Sequence, residues 1–215
     1  MNKLNEVEQK IAESLLQIKA IKLQPKNSFT WVSGWKSPIY CDNRITLSHP
    51  SIRTYIRQKL SERIQDEFGA IDMVCGVATA GIPQGVLVAQ DLGLPFCYVR
   101  SSAKAHGRQN LIEGEVISGQ RVVVIEDLVS TGKSSLHAVQ ALRDAGCSVV
   151  GLVSIFTYGF DIAAERFQEA KCQLHSLCDY EALIKVALEN GYIFEEDMLT
   201  LEQWRKDPEN WAPED

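Results

Sequence analysis

Residues 122–135 read VVVIEDLVSTGKSS: four apolar β-formers, two adjacent carboxylates, then a loop of small and hydroxylated residues ending in Gly132-Lys133-Ser134. That ending is shared with the ATPase phosphate loop, G-x-x-x-x-G-K-[ST], whose first glycine stands five residues before the second. Here that position is Asp127, with Glu126 beside it. A carboxylate there would face the phosphates the loop has to cradle, so the ATPase reading loses its main support. What remains is a cup for one phosphate group. Ser130 to Ser135 joins a strand to a helix and offers backbone N–H groups and the hydroxyls of Ser130, Thr131, Ser134 and Ser135 at a helix N-terminus. A helix cap is the plainer reading, since Ser and Thr are usual capping residues. A cap alone does not need five small or hydroxylated residues in six, nor an acid pair just before them.

Adjacent acids at the end of a buried strand are most often solvated charges. Beside a phosphate cup they gain a second use, binding the vicinal hydroxyls of a sugar directly or through waters held by Mg2+. A phosphate cup next to acceptors for a diol describes a ribose 5-phosphate.

Working outward, strands and helices alternate. MVCGVA (73–78) predicts a buried strand, 82–91 a helix, 95–100 a strand, 122–125 the strand before the acids, 134–145 a helix closed by Gly146, 148–156 a strand and 163–170 a helix. Continuous apolar strands separated by helices imply a parallel sheet covered on both faces, an α/β fold. Ligands of such sheets bind at the carboxyl ends of the strands, which selects the loops 78–83, 100–114, 126–135 and 157–160. Before this core, 4–22 has helical apolar spacing through Ile11, Leu15, Ile18 and Ile21 or Leu16. FTWVSGWKSPIYCDNR (29–44) reads as strand, turn and strand, and 50–68 as a helix with Pro50 near its start. After the core, 180–189 and 198–206 read as helices separated by a stop at Gly191. No linker, repeat or low-complexity tract interrupts the chain, so 1–215 is read as one domain, with 1–45 as an N-terminal hood and about 180–215 as a C-terminal helical extension.

Composition narrows the function classes. The 215 residues carry a net charge of −6, with 45% hydrophobic and 23% charged residues. That balance opposes broad adhesion to nucleic acid or membrane, which needs a basic face, but admits a local basic pocket for a small anion. No apolar run is long enough to span a membrane, and the charged start MNKLNEVEQK lacks a signal peptide's apolar core, so a cytoplasmic location is expected. The six cysteines form no C-x-x-C pair and read mostly as small buried hydrophobes.

The stretch 122–135 resembles the signature of the type I phosphoribosyltransferases: apolar strand, two acids, then a hydroxyl and glycine loop. FTWVSGWKSPIYCD (29–42) is similar to the motif F-T-x-x-S-G-x-x-S-P-x-Y-x-D of the orotate-using branch of that family, and Lys104-Ala105-His106-Gly107 to its mobile-loop pattern K-x-H-G. The three motifs occur in the family's order over about residues 29 to 135. The resemblance implies a Mg2+-dependent transfer of ribosyl 5-phosphate from phosphoribosyl pyrophosphate (PRPP) to N1 of orotate, giving orotidine 5'-monophosphate and pyrophosphate in de novo pyrimidine synthesis.

Residue by residue, the resemblance assigns PRPP to Glu126, Asp127, Leu128, Val129, Ser130, Thr131, Gly132, Lys133 and Ser134, and to the turn Thr79, Ala80 and Gly81 within VATAGIP (77–83). Arg100, Lys104 and His106 join them from the loop 100–114, and catalysis falls to Lys104, His106 and Asp127. Mg2+ is expected mainly on PRPP and water, with Glu126 and Asp127 as the protein's own candidates. Orotate falls to Ser33, Gly34, Lys36, Ser130 and Tyr158, with Phe29 or Trp31 offering an apolar surface to the ring. In the family the mobile loop closes over the neighbouring subunit's site, which implies a homodimer. Three positions depart from common family usage: Ser101 and Val32 stand where relatives place lysine, and Tyr158 where some place arginine. Ser101 leaves one cation fewer, so Arg100, Lys104 or Lys36 carries more of the charge. Arg44 is open between a substrate anchor and a structural ion pair, and His49, His137 and His175 read as capping or surface residues.

This assignment agrees with what the reaction asks of a protein. As C1 parts from pyrophosphate, the ribose gains oxocarbenium character and the leaving group gains negative charge, so cations and exclusion of water are needed there. RSSAKAHGRQNLIEGE (100–115) supplies Arg100, Lys104, His106 and Arg108, with Gly107 and Gly114 as hinges. The rivals are a transferase for a purine or uracil, which would share the loop 126–135 but not the hood motif, and a regulatory nucleic-acid binder, which would need a basic face.

Overall fold

The computed structural model describes residues 5–102 and 111–212. Its centre is a six-stranded sheet of β5 (Met73–Val77), β6 (Phe96–Val99), β7 (Ile112–Glu113), β8 (Arg121–Val129), β9 (Ser148–Thr157) and β10 (Leu174–Asp179), in the order β10-β9-β8-β5-β6-β7. Five strands run parallel and the edge strand β7 is antiparallel to β6. Strand alternation sorts the apolar residues to two faces. Val74, Val123, Ile125, Val153 and Ile155 pack with α1 (Glu6–Gln17), α2 (Pro50–Phe68), α3 (Gly81–Leu92) and α6 (Tyr180–Glu189). Met73, Cys75, Val77, Val122, Val124 and Leu152 pack with α4 (Lys133–Asp144) and α5 (Asp161–Glu169). Strands buried on both faces explain the uninterrupted apolar runs.

The helices begin where local chemistry starts them. Asn5 and Glu8 form a reciprocal capping box ahead of α1, Pro50 opens α2, and Asp179 caps α6 through the Ala182 N–H at 2.9 Å. The helix expected over 4–22 ends earlier, at Gln17. Lys19 takes φ 59, and Ile21 belongs to β1 (Ile21–Leu23), which pairs with β4 (Ile39–Cys41). The hood is therefore two small ribbons: Pro38 divides the expected second strand into β3 (Lys36–Ser37), paired with β2 (Phe29–Thr30), and β4. A six-residue 3-10 segment, Asn43–Ser48, leads from β4 to α2. Helix α7 (Met198–Lys206) returns to the hood, and its Trp204 is fully buried in the same core as the sheet.

Strand β8 runs past the expected end at Ile125. Glu126, Leu128 and Val129 are paired with Ser154, Phe156 and Thr157 of β9, so the acid pair sits within the strand and not in the loop after it. Between β5 and β8 the sheet's order reverses direction, and loops from such neighbouring strands open a crevice between them.

Candidate active site

The acid pair lies at this crevice. Glu126 is buried, its Oε1 accepting from the Asp127 N–H at 3.2 Å and its Oε2 from the Ser135 hydroxyl at 3.3 Å. Burial, reinforced by the neighbouring Asp127 charge, raises the Glu126 carboxyl well above the usual carboxylate range, and burial also raises Asp127. Asp127 is the more open of the two, half-buried, and its backbone carbonyl accepts from Asn43 Nδ2 at 2.7 Å. Two neighbouring carboxyls held out of water favour whatever brings them a cation or hydroxyl donors.

The loop after β8 is held from outside. Thr157 Oγ1 and the Tyr158 N–H both donate to the Val129 carbonyl at 3.2 Å, and Arg166 Nη1 donates to the Thr131 carbonyl at 2.8 Å. Gly132, at the N-cap of α4, has φ 77, and a Cβ there would stand 2.9 Å from the Phe167 ring. Only glycine takes that left-handed turn against an aromatic wall without strain. No side chain caps α4, so its first N–H groups face the loop's concavity with the exposed Lys133 and Ser134. Ser135 differs from expectation: it is buried and turned to Glu126, so it braces the acid instead of lining the cup.

The turn 78–81 faces this loop across the crevice. The Ala78–Thr79 peptide is cis, and the Ala78 N–H donates to the Val99 carbonyl at 2.9 Å. A Cβ on Gly81 would lie 2.5 Å from the Ile125 carbonyl oxygen and 3.4 Å from the Glu126 Cα. The missing side chain is what lets the start of α3 sit directly against β8 beside the acid pair.

Two clefts open near the carboxyl ends of the strands. One, of about 240 Å³, is lined by Val77, Ala78, Val99, Arg100, Ser101, Lys133, Ser134, His137 and Ala138. It brings three basic side chains, Arg100, Lys133 and His137, next to the 78–81 turn and the first turn of α4, and Arg100 also pairs with Glu113 at 3.4 Å. The other, of about 250 Å³, is lined by Thr30, Trp31, Val32, Tyr40, Cys41, Leu128, Ser130 and Tyr158. It is walled by aromatic rings, with Trp31 and Tyr158 centroids 5.2 Å apart. Ser130 lines this second cleft and begins the loop that leads into α4, three residues after Asp127.

Of the anticipated residues, Arg100, Lys133 and Ser134 line the basic cleft, Leu128, Ser130 and Tyr158 line the aromatic one, and Gly81 sits against β8 at Ile125 and Glu126. Ser33 and Gly34 lie at the exposed hood turn and do not line the aromatic cleft. Lys36 also stands outside the lining but reaches its rim, donating to Thr30 Oγ1 at 2.9 Å. Trp31 forms a wall, whereas Phe29 packs on Tyr40 at 5.7 Å. Arg44 is engaged by both oxygens of Asp42, at 2.7 and 2.9 Å, which favours the structural ion pair. Lys104 and His106, with Gly107 and Arg108, lie outside the described residues.

Sequence reasoning missed three groups. His137 is exposed, as read, but it also lines the basic cleft one helical turn beyond Lys133, a spacing that places both on one face of α4. Asn43 carries no motif, and its role depends on tertiary contact. Tyr40 and Cys41 reach the cleft only through folding of the hood, where they meet Leu128, a residue anticipated for PRPP and found on the aromatic cleft. Five of the six cysteines are buried as expected, and none is in a disulfide.

Residues 46–185 match the phosphoribosyl transferase domain family, to which the chain belongs, and a largely parallel sheet with an acid pair on β8 and an uncapped helix start after it agrees with that class. It is 58% identical to the orotate phosphoribosyltransferase of Phocaeicola vulgatus over 95% of this chain and 97% of that one, which places it within the orotate phosphoribosyltransferases. Among solved structures, the orotate phosphoribosyltransferase of Aeropyrum pernix superposes with a TM-score of 0.74 at 28% identity, covering 85% of this chain and 99% of that one. The Mycobacterium tuberculosis orotate phosphoribosyltransferase in complex with PRPP gives 0.63 at 25% identity over 82% and 98%.

Proposed function

We propose that the chain transfers ribosyl 5-phosphate from PRPP to N1 of orotate, forming orotidine 5'-monophosphate and pyrophosphate in pyrimidine biosynthesis. The observation that carries this reading is the run from β8 into α4: Glu126 and Asp127 on the strand, Leu128 and Ser130 lining an aromatic cleft of about 250 Å³, and the uncapped start of α4 just after them. The 5-phosphate occupies the α4 N-terminus, where N–H groups of Gly132 to Ser134 and the hydroxyls of Ser130 and Thr131 meet its oxygens. Asp127 accepts from the ribose hydroxyls, braced by Glu126, which Ser135 holds. The pyrophosphate lies toward the 78–81 turn, Arg100 and His137. Orotate stacks in the aromatic cleft, with Lys36 at its rim to meet the carboxylate.

The donor set suits Mg2+ carried chiefly by substrate and water. Two adjacent carboxyls are raised by burial, and among the described residues no group of three or more His, Cys, Asp or Glu forms a cage of its own. When bound, Mg2+ supplies positive charge to the pyrophosphate as it departs. Arg100 shares that task from the protein, with His137 beside it as a hydrogen-bonding group, and Lys104 and His106 join them if, as in the family pattern, the loop 100–114 closes over a neighbouring subunit's site in a homodimer. The aromatic walls keep water from the oxocarbenium-like ribose, so the base nitrogen captures C1. Support for a single domain comes from α1, the hood, α6 and α7 sharing one apolar core with the sheet.

A base panel of orotate, adenine, xanthine and uracil with PRPP and Mg2+ tests the specificity. Turnover of orotate alone is expected; turnover of a purine with none of orotate would overturn the assignment of the aromatic cleft.

A further inference from the structure

Trp204 on α7 is fully buried where the two walls of the aromatic cleft meet. Its Nε1 donates to the backbone carbonyl of Lys36 in β3 at 3.2 Å. Its ring meets Trp31 edge-on at 5.7 Å and Tyr158 edge-on at 5.6 Å. Trp31 and Tyr158 are adjoining walls of the cleft, their centroids 5.2 Å apart, one from the hood and one from the residue after β9. The next residue, Arg205, donates from Nη2 to the Gly159 carbonyl at 3.0 Å, immediately after Tyr158. Two consecutive side chains of α7 therefore grip both walls.

The hood needs such a grip. Its outer ribbon consists of β2 and β3, two residues each, and its turn carries the fully exposed Val32. A two-stranded ribbon is marginal in water on its own, so its height over the sheet is set by what it docks against. Trp31 Nε1 bonds within the hood, to the Ile39 carbonyl at 3.1 Å, whereas Trp204 bonds the hood from outside.

We propose that Trp204 is a positioning residue for the base subsite: without touching the pyrimidine, it fixes the spacing of Trp31 and Tyr158 and so the affinity for orotate. This rests on the reading of the aromatic cleft as the base site. A residue that only fills the core would lower the melting temperature and leave the Michaelis constants of the folded fraction alone. A positioning residue changes one constant selectively.

The test compares Trp204→Phe and Trp204→Ala with Leu128→Phe, which narrows the cleft directly. Trp204→Phe keeps a ring but loses the N–H donor, and is expected to raise KM for orotate by about 2- to 10-fold, as loss of one hydrogen bond implies, with KM for PRPP and kcat little changed. Trp204→Ala is expected to raise it further; should that variant not fold, Trp204→Phe decides. An unchanged KM for orotate in Trp204→Phe, with Leu128→Phe raising it, would overturn the role of Trp204 while leaving the base site in place. An unchanged value in Leu128→Phe would remove the base site itself, and the proposal with it.

Discussion

Asn43 donates from Nδ2 to the backbone carbonyl of Asp127 at 2.7 Å, joining the hood to the acid-bearing strand through a buried side chain. The connection continues: Thr46 Oγ1 donates to the Asn43 carbonyl at 2.6 Å, and Gln84 Nε2 of α3 donates to Thr46 Oγ1 at 3.2 Å. All three side chains are buried, so each bond is made in low dielectric, where an unpaired group costs more than a pair contributes. The helix that begins at Gly81, the hood and Asp127 are thereby held in one frame.

Asn43→Ala leaves the Asp127 carbonyl without this donor. Unfolding in urea should show a loss of about 1–3 kcal/mol, and kcat/KM for PRPP should fall with it, because the strand end beside the ribose loosens. Unchanged stability and kinetics would remove Asn43 from the frame.

Glu126 sets a pH dependence. Burial raises its folded-state pKa above the unfolded value, so in the interval between the two the folded protein holds the extra proton and stability falls as pH rises. Above the raised pKa the slope from this group vanishes and the full penalty remains. Glu126→Gln keeps an acceptor for the Ser135 hydroxyl without the charge, and should raise the melting temperature at neutral pH, flatten the pH profile and reduce turnover. A wild-type profile unaltered by the substitution would contradict the raised pKa.

Gly81→Ala forces a Cβ to within 2.5 Å of the Ile125 carbonyl oxygen. Overpacking of this kind costs about 1–3 kcal/mol, and α3 must shift from β8. KM for PRPP should rise more than KM for orotate, since the 78–81 turn moves while the aromatic cleft does not. Steady-state kinetics with each substrate varied separately checks this.

Gly132 and Lys133 distinguish backbone from side-chain recognition of the 5-phosphate. Gly132→Ala strains a residue at φ 77 against Phe167 and should raise KM for PRPP at least tenfold, corresponding to about 1.4 kcal/mol. Lys133→Ala removes only an exposed flanking cation and should change it by less than about fivefold. The reverse order would mean that the lysine, and not the loop's N–H groups, grips the phosphate.

Lys104→Ala should lower turnover by about 10²–10³-fold, the range for loss of a group that acts in the transition state. Mixing it with Asp127→Asn, itself inactive, should restore part of the activity through dimers with one intact site. No restoration in subunit-exchanged mixtures would contradict a loop shared between subunits.

The legible parts of the fold were those specified by contiguous residues. α2 at 50–68, α6 at 180–189 and α7 at 198–206 carry Pro50, capping Asp179 and the Gly191 stop in their own sequence. β10, LHSLCD, carries His175 and Ser176 on an edge strand that never needed a continuous apolar run, and it escaped notice; so did the two-residue β7. Ile21 continued the helical spacing of α1, yet pairing with Cys41 of β4 takes it into a strand. In the site, the phosphate loop was readable because strand, acids, glycine and helix start follow one another. The aromatic cleft was readable only in part: Trp31, Ser130 and Tyr158 were expected at the base, but Thr30, Val32, Tyr40 and Cys41 join them through tertiary folding, and the C-terminal Trp204 behind it has no local signature.

The most direct measurement is the loss of orotate absorbance when the purified chain is given orotate, PRPP and Mg2+. The expected result is a catalysed decrease that requires all three, releases pyrophosphate in equal amount and is abolished in Asp127→Asn. Absence of any decrease from a folded chain at saturating orotate and PRPP would contradict the assignment of its acid pair, phosphate loop and aromatic cleft to this reaction.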